Sequence, residues 1–212
     1  IDIGSYDVIL EIFEISKKQG IRSVDKICHR MELGKDTYTL GKIRPEMEEE
    51  LCRVLADFVR IMEGYRVDDY RATASSAISE ASNSLYVLGK IHQLTGLSVT
   101  VLSNSEQRFL SYKALAAMED NFNKIIEKGT AILDLDGGSF QISLFDKDAL
   151  VTTQNIRMGS LRIRERLAGI QSETEHYEEM VEELIWNEVS SFKKMYLKDR
   201  KIENIMLIGD VF

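Results

Sequence analysis

Three short apolar stretches open the chain. Ile1–Ile3 is brief, Val8–Ile15 (VILEIFEI) is rich in β-branched and aromatic residues, and Ile21–Met31 alternates loosely, so each predicts a strand. The period then changes. Met47, Leu51, Val54, Leu55, Phe58, Ile61 and Met62 are spaced by threes and fours, which predicts an amphipathic helix from about Pro45 to Glu63. Pro45 suits the first turn of that helix and Gly64 its end. Val67–Thr73 reads as a further strand.

The later part of the chain repeats this order. Ala131–Leu135, Phe140–Phe145 and Leu150–Met158 predict three strands. A long helix follows from about Ser172 to Leu197, with Tyr177, Met180, Val181, Leu184, Ile185, Val189 and Phe192 on one stripe and a capping box from Ser172 and Glu175. Ile202–Ile208 closes as a strand. Both copies carry an Asp-apolar dipeptide leading to Gly and Ser: Asp2-Ile3-Gly4-Ser5 and Asp134-Leu135-Asp136-Gly137-Gly138-Ser139. Repeats this long predict two similar lobes rather than a solenoid. Between them Ser75–Gly96 predicts one or two helices, Val99–Leu102 a strand and Asn104–Met118 a helix. The second copy stops at Phe212 before its own following helix, which predicts an incomplete second lobe.

Composition narrows the function classes. The 212 residues hold 35 Asp and Glu against 27 Lys and Arg, a net charge of −8, which argues against a nucleic-acid backbone binder. No window approaches ~18 uninterrupted apolar residues, so no membrane span is expected. Cys28 and Cys52 have no metal or disulfide-framework spacing, which favours a reducing, cytoplasmic setting. His29, His92 and His176 are scattered without ligand spacing.

The glycine turns are the candidate chemistry. A tight turn after a strand leaves backbone N–H groups free to face an anion, and a carboxylate at the strand end can hold Mg²⁺ against phosphate oxygens. Either turn alone reads equally as an ordinary hairpin turn. Two of them at matching points of a duplicated order favour a phosphate site.

At this point the residues resemble a known family. IDIGS at the start, SSAISEASN at 75–83, VLSNSEQRFLSY at 101–112, LDLDGGSFQI at 133–142 and MGSLRIRE at 158–165 occur in the order and spacing of the exopolyphosphatase/guanosine-pentaphosphate phosphatase family, and LGKDTYTLGKIRPE at 33–46 is similar to its segment before the first long helix. The resemblance spans nearly the whole chain. It implies an α/β fold of the actin/hexokinase/Hsp70-like kind (ribonuclease H-like), with a first lobe at 1–125 and a truncated second lobe at 126–212. It also implies a bacterial homodimer that releases terminal phosphate from polyphosphate or guanosine pentaphosphate with Mg²⁺. By the same likeness Asp2, Gly4 and Ser5 form the first phosphate turn, Gly137, Gly138 and Ser139 the second, and Asp134 helps to hold Mg²⁺.

The departures from the family pattern fall where chemistry is done. Ser5-Tyr6-Asp7 stands for Ser-Asn-Ser, Ser79 for a clamping arginine, Gln107 for the water-activating glutamate, Asp136 for the first glycine of the second turn, and Gln141 for an acidic residue. Gly209-Asp210-Val211-Phe212 stands where another glycine-rich loop is expected. Glu106, beside Gln107, is the other candidate for positioning water, although Ser103-Asn104-Ser105-Glu106 also fits a capping box. A lost general base costs ~10²–10⁴ in rate. Two readings remain: a hydrolase of weakened activity, or a non-catalytic relative that binds a nucleotide, polyphosphate or another protein.

Overall fold

The structure, a computed structural model, describes residues 1–18, 20–119, 121–168, 176–198 and 200–209. The chain divides into two compact units, Ile1–Ser103 and Asn104–Phe212. The division falls ahead of the helix at Asn104, whereas the family resemblance sets the lobe boundary near residue 125.

The first unit is built on β1 (Asp2–Ile3), β2 (Asp7–Ser16), β3 (Gly20–Arg30), α1 (Leu33–Leu40), α2 (Pro45–Tyr65), β4 (Ala72–Ala74), α3 (Ser76–Ser79), α4 (Ser84–Thr95) and β5 (Val99–Val101). Its sheet runs β3-β2-β1-β4-β5, with the first three strands antiparallel and β1, β4 and β5 parallel. The spaced apolar stripe of α2 supplies Leu51, Val54, Leu55, Phe58 and Met62 to a core shared with Ile3, Val8 and Leu10 of the sheet and Val87 and Ile91 of α4. Burying five such side chains is worth roughly 1.5–3 kcal/mol each before entropy is counted, so the stripe rather than helix propensity holds α2 in place.

The second unit contains α5 (Asn104–Met118), α6 (Phe122–Ile126), β6 (Thr130–Leu135), β7 (Phe140–Asp146), β8 (Ala149–Ile156), α7 (Ser160–Leu167), α8 (Tyr177–Tyr196) and β9 (Asn204–Gly209). Its sheet runs β8-β7-β6-β9, antiparallel except for the parallel pair β6–β9. Strand for strand this matches β3-β2-β1-β4, so the duplication read from the sequence is present in topology. α1 and α7 occupy matching places after the third strand, and α2 and α8 follow them. Central strand β7 is buried along both faces from Gln141 to Phe145, polar Gln141 and Ser143 included. Tyr112 and Leu115 of α5 pack with Phe122, Ile126, Ile132 and Phe145, which ties α5 and α6 to this sheet.

Three expectations change. Gly64 does not end α2: the helix continues to Tyr65, and Arg66 takes the left-handed position at φ 55°. The amide of Val67 reaches Met62 O and that of Arg66 reaches Glu63 O, so the chain closes as a Schellman turn placed by apolar Val67 packing back on the core. The strand expected at Val67–Thr73 shrinks to Ala72–Ala74, because β1 offers it only Asp2 and Ile3 as partners. α1, α6 and α7 are helices that periodicity did not reveal. The Ser172–Glu175 capping box and Asp210–Phe212 lie outside the described residues. No helix among the described residues is long and apolar enough to cross a membrane.

Candidate functional site

β6 ends at Leu135 and the chain turns back through Asp136-Gly137-Gly138-Ser139 into β7. Asp136 N–H donates to Ser139 O at 3.1 Å and closes the turn. Its outer side is fixed by α7. The amides of Ser160 and Arg162 donate to the carbonyls of Asp136 and Gly137 at 3.0 and 3.1 Å, and Arg162 Nε donates to Gly138 O at 2.9 Å. The orphan donors of a helix N-terminus are thereby satisfied by the turn's carbonyls. Peptide planarity then aims the N–H groups of Gly137, Gly138 and Ser139 to the opposite side. This close approach requires Gly159 at the N-cap of α7. A Cβ there would lie 2.4 Å from Gly137 C and Ser139 N.

On the amide side lies a constricted cavity of about 10 Å³, room for one water centre. It is lined by Asn104, Gln107 and Arg108 of α5, Asp134, Asp136 and Ser139 at the end of β6 and in the turn, and the ladder partners Gln141 and Asn155 of β7 and β8. Ser111 Oγ donates to Asp134 Oδ2 at 3.3 Å. Arg108 is braced by hydroxyls, its Nη1 donating to Thr153 Oγ1 at 3.3 Å and its Nη2 to Ser105 Oγ at 3.2 Å. The Asp136 carboxylate folds over its own turn, Oδ1 accepting from Gly138 N at 2.5 Å and Ser139 N at 2.7 Å.

The donor set sets limits on a metal. Among the described residues no three His, Cys, Asp or Glu side chains gather as a metal cage. The cavity does offer the Asp134 carboxylate and Asn155 Oδ1, a buried oxygen with no hydrogen-bond partner among the described residues. Mg²⁺ keeps most of its water and takes one or two protein oxygens plus phosphate. Those two oxygens fit Mg²⁺ that arrives with a phosphate chain.

In the first unit the matching turn is closed by Gly4 N–H donating to Asp7 O at 2.9 Å. Its carbonyls again cap the following helix, Ser5 O accepting from Gly34 N and Tyr6 O from Met31 N and Glu32 N. Buried Ser5 shares a triangle of hydroxyls with Tyr38 OH at 2.6 Å and Ser76 Oγ at 3.4 Å, the latter two being 2.8 Å apart. Arg30 stacks over the Tyr6 ring at 4.8 Å. Asp2 is exposed and accepts from Thr73 Oγ1 at 3.3 Å.

Gln107, Asp134 and Ser139 thus meet at one cavity of the second unit. Gly137 and Gly138 are buried in its turn, and Glu106 is exposed and outside the lining. Asp2, Gly4 and Ser5 form the corresponding end of the first unit. Arg108 and Asn155 escaped the sequence reading. For Arg108 a signal existed: Asn104, Gln107, Arg108 and Ser111 fall at i, i+3, i+4 and i+7, a polar stripe on one face of α5.

Comparison with known proteins agrees with this architecture. The model of the Ppx/GppA phosphatase family matches residues 11–210. The bifunctional 3-dehydroquinate synthase/phosphatase of Fusobacterium nucleatum is 22% identical over 172 residues, 78% of this chain and 26% of that protein. Exopolyphosphatase 1 of Mycobacterium leprae is 25% identical over 144 residues, 68% of this chain and 41% of that protein. The chain therefore spans well under half the length of either relative. A crystal structure of an exopolyphosphatase from Cytophaga hutchinsonii superposes with a TM-score of 0.77 at 21% identity, covering 99% of this chain and 64% of that one. The fold is the actin-like one.

Proposed function

The chain belongs to the Ppx/GppA phosphatase family, and from that premise we propose that it binds the phosphate chain of polyphosphate or guanosine pentaphosphate at the Asp136–Ser139 turn and releases terminal phosphate slowly. The observation that carries this reading is the gathering of Gln107, Arg108, Asp134 and Ser139 round one cavity at the carboxyl end of β6, the usual ligand edge of such sheets.

Phosphoanhydride hydrolysis needs an aimed water, stabilised charge and an acceptor for the water's proton. Gln107 can aim a water through its amide oxygen but cannot accept a proton. Arg108 brings positive charge to the site. Asp134 and Asn155 would hold Mg²⁺, which when bound neutralises phosphate oxygens. Ser139, at the mouth of the turn, presents a hydroxyl to the same oxygens. A homodimer is part of the same proposal, and light scattering on the purified chain tests it.

Phosphate release with Mg²⁺ against both substrates is the test. Slow release is expected, lost in Asp134→Ala and raised in Gln107→Glu by a factor within the ~10²–10⁴ range of a general base. No release from either the native chain or Gln107→Glu, in proteins that melt cooperatively, overturns the hydrolase reading. The Asp136 carboxylate lying on the turn amides favours the second reading, a family member that binds phosphate chains without turnover. Binding of tripolyphosphate without release would support it.

A further inference from the structure

The amides on which a phosphate oxygen would settle are already taken. Gly138 N–H and Ser139 N–H both donate to Asp136 Oδ1, at 2.5 and 2.7 Å. Resting on the phosphate-turn reading above, we propose that Asp136 is an internal anion that fills the phosphate position of its own turn, so that a phosphate chain enters only as this carboxylate swings off the two amides.

The geometry of the turn makes this more than local repulsion. Its three carbonyls at Asp136, Gly137 and Gly138 are engaged by Ser160 N–H, Arg162 N–H and Arg162 Nε. The peptide planes therefore cannot rotate to hide their N–H groups, and those groups need an acceptor on the cavity side. Each engaged carbonyl also polarises its peptide and strengthens the N–H it presents. Gly137 and Gly138 bring no side chain, so the acceptor must come from elsewhere. Asp136 supplies it from two and three residues away, and an ionised carboxylate on amide donors makes charge-assisted bonds of the kind a phosphate oxygen would make. Its Cα stays where the backbone bonds of Asp136 N–H and C=O hold it, and rotation about its side-chain torsions is enough to clear the turn. The turn thus has two states that differ by one side chain: self-filled, or open to an external anion. Asp136 lines the cavity together with Arg108, which gives the displaced carboxylate or the incoming phosphate a cation in the same space.

The test uses the full chain labelled with ¹⁵N, titrated with inorganic tripolyphosphate and Mg²⁺, with Asp136→Ala and Asp136→Asn alongside. Both substitutions keep the backbone bonds of residue 136. Asp136→Ala removes the filling group, whereas Asp136→Asn keeps its shape and removes its charge. The expected result is at least tenfold tighter binding by Asp136→Ala than by the native chain, an intermediate value for Asp136→Asn, and ligand shifts centred on the Gly138 and Ser139 amides. Before ligand is added, the same two amides should exchange with solvent faster in Asp136→Ala. Equal affinity of the native chain and Asp136→Ala, with the ligand on those amides in both, overturns the internal-anion proposal and leaves the phosphate turn standing. Failure of tripolyphosphate to shift Gly138 and Ser139 in any of the three proteins overturns the phosphate-turn reading, and the proposal falls with it.

Discussion

Gly159→Ala is the sharpest test of how the second-unit turn is held. The backbone at this N-cap, φ −70° and ψ 163°, suits alanine, so the penalty is steric alone. A Cβ would lie 2.4 Å from Gly137 C, 2.4 Å from Ser139 N and 2.5 Å from Asp136 O. Ordinary carbon contacts sit at about 3.5–4.0 Å, so the deficit is about 1 Å against three backbone atoms of one turn. Moving α7 away to relieve it stretches the bonds from Ser160 N and Arg162 N to the turn, about 1 kcal/mol each. Accepting the overlap instead costs about 1–3 kcal/mol. Against this, alanine restricts the unfolded chain and returns about 0.4–1 kcal/mol. The net is a loss of about 1–2.5 kcal/mol, or a melting point lower by about 3–10 °C. Trp186, the one tryptophan of the chain, lies on α8, so its fluorescence follows the second unit. Gly89→Ala is the control, at an exposed site in α4 of the first unit where a Cβ meets nothing within 4 Å, and it should stabilise that unit by about 0.5–1 kcal/mol, read by far-ultraviolet circular dichroism. A Gly159→Ala protein melting within about 2 °C of the native chain would refute the close approach of α7 to the turn.

Further outcomes follow from the first unit. Arg66→Gly should raise stability by about 1 kcal/mol, since glycine relieves the left-handed strain at φ 55° while the Schellman bonds stay; a drop in the urea midpoint would contradict this. Lys90 Nζ lies 2.6 Å from buried Glu48 Oε1, and that hydrogen bond pushes the Lys90 ammonium above its usual value of 10.5. A base raised on folding stabilises fully below its unfolded pKa and loses that stability as pH rises through the folded one. Stability should therefore fall above about pH 10.5 more steeply in the native chain than in Lys90→Met, measured by urea unfolding from pH 8 to 11.5. Burial pushes the Cys52 thiol up, whereas Cys28 is exposed. Iodoacetamide at pH 8 should thus label Cys28 at least ten times faster, as read by peptide mass spectrometry, and equal rates would show that the α2 core opens readily.

The parts of this molecule that a sequence discloses are those whose cause is local. The alternation of β2 and the threes and fours of α2 name their own burial, and Asn104–Met118 has the bounds its polar start and apolar positions suggest. α1 and α7 did not appear in the pattern because their reason is tertiary. Each is eight residues long, and each is fixed by donating its first amides to a turn about 25 residues or more away in sequence. α1 is secured further by buried Asp36, which pairs with Arg44 at 2.8 Å and caps the chain entering α2. At the site, sequence distinguishes Glu106 from Gln107 by chemistry but not by direction. One residue along a helix turns a side chain by ~100°, and it is Gln107 that lines the cavity. The negative charge of Asp136 was equally visible. Its bond to its own turn was not, because that depends on α7 having already fixed the carbonyls on the far side.

The two turns show which features the fold dictates and which the residues choose. In both units a strand end turns back at Gly and Ser, and in both the turn's carbonyls accept the first amides of the helix after the third strand. That arrangement recurs although the helices share little sequence, so it comes from the topology. What the residues place beside each turn differs. The first unit places Ser5 in a hydroxyl triangle with Tyr38 and Ser76, uncharged and closed by its own bonds. The second places a carboxylate on two amides. Neutral hydroxyls can each turn to donate to an incoming anion at little cost, because each is both donor and acceptor. A carboxylate can only accept, so it must leave before another anion arrives. Of the two ends, it is the second whose occupancy one substitution can switch, and the barrier to phosphate there resides in Asp136 rather than in the scaffold that holds it.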